Sequence, residues 1–153
     1  MGLIKRAIFL QNITQIGMDA FWRARNLVVV VIPEGVDFIG VSAFSSCSSL
    51  VVVDFPSTLT SIRKDAFGGC TSLAFVELRH TNLQELGAMA FSGCKNLACM
   101  YIPDSLDRVV NNCFTGCTKI VPETMNIDNR YQASKIVNFL WFYQTEVESD
   151  EDY

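Results

Sequence analysis

The chain has 153 residues, 50% of them hydrophobic and 18% charged, with a formal net charge of -4 at neutral pH. That is enough for one domain with a substantial core. The acidic balance and the lack of a basic stripe argue against a nucleic-acid partner. No apolar run approaches the roughly eighteen residues of a spanning helix.

The first ten residues contain two cations, and their longest uncharged apolar stretch runs only from Ala7 to Leu10, too short for a secretory core. Gly2 is not expected to be myristoylated, because Arg6 stands where that motif wants Ser or Thr. Ile4, Ala7 and Phe9 instead lie one period before Leu27, Val30 and Ile32. The chain is therefore expected to open partway through a repeat. This reading places the protein in a reducing intracellular compartment, with a cell-surface location only if the chain belongs to a longer protein.

From Ala20 the chain repeats itself. Ala66-Phe67, Cys70, Leu73, Val76 and Leu78 have counterparts in Ala43-Phe44, Cys47, Leu50, Val53 and Phe55, and in Ala90-Phe91, Cys94, Leu97, Met100 and Ile102. Weaker copies begin at Ala20-Phe21 and Cys113-Phe114. The phenylalanines Phe21, Phe44, Phe67, Phe91 and Phe114 lie 23, 23, 24 and 23 residues apart. A fixed period of this length is the signature of a solenoid whose stacked coils share one core.

Each copy divides into two halves. Alternation by twos at Val30 and Ile32, or Val53 and Phe55, predicts a strand with those residues inward. Pro33, Pro56 and Pro103 end the strands, since proline cannot donate to a ladder. A second short strand or extended edge is expected at Val36–Ile39, Leu59–Ile62, Leu83–Leu86 and Leu106–Val109. The Ala-Phe-x-x-Cys segment should turn the chain back as one helical or 3-10 turn. The extra residue of the third interval falls at Arg79-His80-Thr81-Asn82, where it bulges a corner and leaves the core alone.

These residues resemble the BspA-type leucine-rich repeat. Besides the Ala-Phe-x-x-Cys-x-x-Leu-x-x-Val-x-Ile-Pro run, Ile16-Gly17, Ile39-Gly40 and Leu86-Gly87 match its Ile-Gly step, whereas Ile62-Arg63 and Val109-Val110 depart from it. The resemblance implies a mainly β, right-handed solenoid of about five coils over residues 3–122, and a role in protein recognition. Fold analogy alone does not transmit function.

From Val121 the period is lost. Ala133, Ile136, Val137, Leu140 and Tyr143 recur at helical spacing, so residues 126–144 are expected to form a helix capping the last coil. Phe139, Trp141 and Phe142 stand outside that stripe and offer a second interface. Residues 145–153 form an acidic tail expected to be solvated and mobile, with Ser149 a weak site for an acid-directed kinase.

Little in the sequence points to chemistry. Cys47, Cys70, Cys94 and Cys117 share a position that accepts Ala24, so it reads as small and buried; Cys113 replaces the alanine of an Ala-Phe pair. Stacking would bring equivalent cysteines within disulfide range, but reduced thiols are expected. A zinc site from Cys94, Cys99, Cys113 and Cys117 competes poorly with those assignments. His80, the single histidine, reads as an exposed loop residue far from the thiols, and Phe67-Gly-Gly-Cys70 lacks the pattern of a phosphate loop. No cofactor, metal or enzymatic activity is predicted.

Binding is better argued from the strand positions facing away from the core. These are Val29 and Val31, Val52 and Asp54, Phe75 and Glu77, Cys99 and Tyr101. Such positions on a solvated sheet would be polar. Here they form an apolar patch rimmed by Arg6, Asp54 and Glu77, with Phe75 and Tyr101 as anchors. The expected partner is a protein, gripped transiently. The alternative is a subunit buried permanently in a larger assembly or homo-oligomer through the same face.

Overall fold

In a computed structural model, residues 6–8 and 12–120 are described. Ten short strands follow one another: β1 (Arg6–Ile8), β2 (Gln15–Ile16), β3 (Val29–Val31), β4 (Phe38–Ile39), β5 (Val52–Asp54), β6 (Ser61–Ile62), β7 (Phe75–Glu77), β8 (Glu85–Leu86), β9 (Cys99–Tyr101) and β10 (Arg108–Val109). Odd-numbered strands stack on odd and even on even, always parallel and one period apart, as in Val30↔Val53 and Ile39↔Ile62. The chain is a parallel β-solenoid. Its expected capping helix, its acidic tail and the residues Phe139, Trp141 and Phe142 lie outside the described residues.

Repetition builds the core as columns. Phe44, Phe67 and Phe91 are fully buried, as are Cys47, Cys70 and Cys94, and Leu50, Leu73 and Leu97. Neighbouring rings of the phenylalanine column are nearly coplanar in orientation, tilted by 2–8°, with centroids 5.1, 5.2, 5.4 and 6.0 Å apart from Phe21 to Phe114. The strand spacing of about 4.8 Å sets this interval, and at that separation rings favour an offset stack.

The Ala-Phe segment corrects one expectation. No helix occurs among the described residues; each segment is a chain of turns in which alternate N–H groups take different partners. In the second copy Ala43, Ser45 and Cys47 bond three residues back, to Gly40, Ser42 and Phe44, while Ser42, Phe44 and Ser46 reach up to Lys64, Ala66 and Gly68 of the next coil. The residues two before and two after each phenylalanine have positive φ: Ser42 and Ser46 around Phe44, Asp65 and Gly69 around Phe67, Met89 and Gly93 around Phe91. A left-handed residue at every fourth position cannot propagate a helix. It does aim alternate N–H groups along the solenoid axis.

The corner after the even strands keeps its hydrogen bond to the preceding coil despite the changes in sequence. Gly40 and Gly87 are needed there, because an added Cβ would lie within 3 Å of the preceding coil's backbone. Arg63 and Val110, which break the Ile-Gly pattern, still donate to Ile39 and Leu86 as Gly40 does to Ile16.

Candidate interaction face

Two strand faces look outward, and their chemistry differs. The even strands present Gln15, Phe38, Ser61, Glu85 and Arg108. Arg63 covers Phe38, its guanidinium carbon 3.9 Å from the ring centroid, and Arg108 lies 3.7 Å from Glu85. That face is mixed and polar, as expected of a solvated surface.

On the odd strands the middle residues Val30, Val53, Val76 and Met100 are buried, which turns the flanking residues outward. The register sets Val29 beside Val52, Val31 beside Asp54, Phe75 beside Cys99, and Glu77 beside Tyr101. All eight residues singled out from the sequence therefore share one face. Val52 and Phe75 stand out, at 49% and 47% exposed, together with Val51 at 44%, which the sequence pattern did not single out. Val51 precedes its strand, so alternation does not describe it.

The face has a seam. β1, β3 and β5 form one sheet and β7 and β9 another, whereas the even strands run unbroken through all five coils. Two departures from the repeat pattern flank it. Phe55 occupies a core position held by Ile32, Leu78 and Ile102, and its ring meets Phe67 edge-on at 5.7 Å. Arg79 then stands where the other coils place Pro33, Pro56 and Pro103, and opens the inserted corner. Within it Thr81 is buried, its hydroxyl donating to the Leu78 carbonyl at 2.7 Å.

Side chains of the insertion serve this face. His80 is exposed, and its Nε2 lies 2.6 Å from the Phe55 carbonyl oxygen. A carbonyl only accepts, so Nε2 carries the proton. The Arg79 guanidinium grips both Glu77 carboxylate oxygens, with Nε at 3.0 and 3.2 Å, and lies 4.0 Å from the Tyr101 ring centroid. The hydrogen bonds from Arg79 hold the Glu77 carboxyl below its usual range. Phe75 meets Tyr101 edge-on at 5.4 Å. Phe75 and Tyr101 thus pack as a unit, and Tyr101 is the more covered of the two because Arg79 lies on it.

The cysteines divide as burial dictates. Thiols of Cys47, Cys70, Cys94 and Cys117 donate to the carbonyls of Phe21, Phe44, Phe67 and Phe91, each in the preceding coil, at 3.0–3.2 Å. The column is structural: it gives a small buried group a partner in the backbone of the coil before. All six cysteines are free. Burial raises the Cys47 thiol to about 11 and pushes Cys70 and Cys113 higher still. Cys99, on the outer face, is only half-buried. Among the described residues no cluster of His, Cys, Asp and Glu is arranged to hold a metal ion, and no helix is long and apolar enough to cross a membrane.

Stacked parallel coils of one period, sharing a columnar core, define a repeat protein of the solenoid class. The chain belongs to the BspA type leucine rich repeat family, whose model matches residues 3–130 with six copies. The match continues beyond residue 122, where the sequence reading ended the solenoid. Among solved structures, the T. pallidum leucine-rich repeat protein is 30% identical, with a TM-score of 0.69 over 73% of this chain and 53% of that one. A leucine-rich repeat protein from Bacteroides ovatus is 27% identical, with a TM-score of 0.65 over 77% of this chain and 32% of that one. A leucine rich cell surface protein from Faecalibacterium prausnitzii shares the fold at 24% identity, with a TM-score of 0.79 over 87% of this chain and 34% of that one. The chain thus spans from about a third to a half of the length of these proteins. Comparison with curated proteins returns no match. Repeats of this family commonly serve as protein-interaction modules and are typically non-enzymatic.

Proposed function

We propose that this protein is a non-enzymatic recognition module that grips a protein partner through the outward face of β3, β5, β7 and β9. One observation carries the reading: Val52 and Phe75, two of the most exposed large apolar residues, stand on that face on the strands either side of the β5–β7 seam. The opposite, even-strand face is polar. Phe75, braced by Tyr101, is the central anchor; Val29, Val31 and Cys99 extend the apolar contact, and Asp54 and Glu77 supply the charged rim. A reducing compartment suits the six free thiols.

Cross-linking capture from native cells, comparing wild type with a Val52→Asp, Phe75→Asp variant, tests the assignment. Both residues are about half-exposed, so the variant is expected to fold, as checked by circular dichroism. Loss of the captured partner supports the face, and unchanged capture removes it. Once the partner is in hand, Phe75→Ala should cost about 2 kcal/mol, roughly thirtyfold in affinity. The same exposed cluster favours, as a second reading, a subunit whose face is permanently covered. Light scattering separates the two, since the subunit reading requires an association that Val52→Asp, Phe75→Asp abolishes.

A further inference from the structure

Three outward aromatic rings carry the chain's own arginines. The Arg23 guanidinium carbon lies 4.4 Å from the Trp22 ring centroid, that of Arg63 3.9 Å from Phe38, and that of Arg79 4.0 Å from Tyr101. Phe75 does not. It is about half-exposed, its ring meets Tyr101 edge-on at 5.4 Å, and among the described residues no cation lies over it. The carboxylates of the same face divide likewise. Arg79 grips both oxygens of Glu77, whereas Asp54, at the equivalent position of the coil before, is exposed and has no ion pair or side-chain hydrogen bond among the described residues. Asp54 closes β5 two residues after Val52, and Val52 lies one period before Phe75.

We propose that the protein partner presents an arginine to this face, next to an apolar side chain. The guanidinium lies on the open Phe75 ring and pairs with the Asp54 carboxylate, while the apolar neighbour packs on Val52. The inference rests on the sheet-face reading and names the chemistry of the segment that face takes. Charge complementarity carries it: an unpaired carboxylate and an uncovered ring on one face are the two groups that a guanidinium satisfies at once. The chain shows the same combination one coil on, where Arg79 is held by Glu77 and lies over Tyr101. Diagonal neighbours on adjacent strands stand about 7–8 Å apart, a span within reach of one long side chain. The formal net charge of -4 favours the approach of a basic segment. An acidic segment would set carboxylate against Asp54 and offer the negative face of the ring nothing.

Selection of phage-displayed random peptides on the immobilised full chain tests it. Peptides that no longer bind the Val52→Asp, Phe75→Asp variant should be enriched in arginine close to a large apolar residue. For a synthetic peptide so selected, Asp54→Asn should weaken binding about tenfold, and affinity should fall as salt is raised from about 0.05 to 0.5 M. Repeating the selection on Asp54→Lys should replace the arginine with Asp or Glu, an exchange that misfolding cannot produce. Glu85→Gln, on the even-strand face, should change nothing. Peptides that need Val52 and Phe75 yet carry no arginine, that hold Asp54→Asn as tightly as wild type, or whose arginine preference survives Asp54→Lys would overturn this inference and leave the face standing. If no selected peptide depends on Val52 and Phe75, the face itself falls and the inference with it.

Discussion

Truncating Phe67 to alanine is the sharpest test of the column architecture. The ring is fully buried, stacked at 5.2 Å on Phe44 and 5.4 Å on Phe91, and met edge-on by Phe55 at 5.7 Å. Removing a buried phenylalanine ring costs about 3–5 kcal/mol. Each well-placed ring contact adds about 0.5–1.5 kcal/mol beyond burial, which puts Phe67 at the top of that range. At about 2–4 °C per kcal/mol for a domain of this size, melting should fall by roughly 10–15 °C. Phe21→Ala removes a partly exposed ring at the end of the same column and should cost about half as much. Urea titration followed by far-ultraviolet circular dichroism, with linear extrapolation, gives both values. A Phe67→Ala cost below about 1.5 kcal/mol, or one no larger than that of Phe21→Ala, would refute the continuous stack.

Other outcomes follow from the same geometry. Gly87→Ala sets a Cβ 2.6 Å from backbone atoms of Arg63 and Lys64, whereas Gly17→Ala meets nothing within 4 Å. The first should therefore cost about 1–3 kcal/mol in thermal unfolding and the second nothing, and equal effects would rule out the close coil contact. A thiol reagent at mildly alkaline pH should modify Cys99 quickly and the remaining cysteines only on unfolding, with the fast phase lost in Cys99→Ser. Rapid modification of several thiols would contradict the buried column. Burial raises the folded thiols of Cys47, Cys70 and Cys113, so above the free-thiol pKa of about 8.5 the unfolded chain sheds protons first. Stability should consequently decline as pH rises from there, the Cys47 share fading until its folded value of about 11 is passed, and a flat alkaline melting profile would count against the raised thiols.

Periodicity alone determined the columns. Any residue repeated every 23 or 24 positions in stacked coils must meet its own copies, so the burial of Phe67, Cys70 and Leu73 and the outward set from Val29 to Tyr101 were legible before any coordinates. The recurring Gly69, Gly93 and Gly116 also carried a hint of the left-handed turn, but Ser46 and Arg23 hold the same conformation without glycine and hide it. There the backbone obeys the coil above, which takes its alternate N–H groups, rather than local propensity. Only the tertiary structure decided where the repeat breaks. The seam beside Phe55, the reach of His80 to its carbonyl and the lid of Arg79 over Tyr101 each join residues from different coils. A repeat motif describes what every coil shares, so contacts peculiar to one pair of coils are beyond its reach.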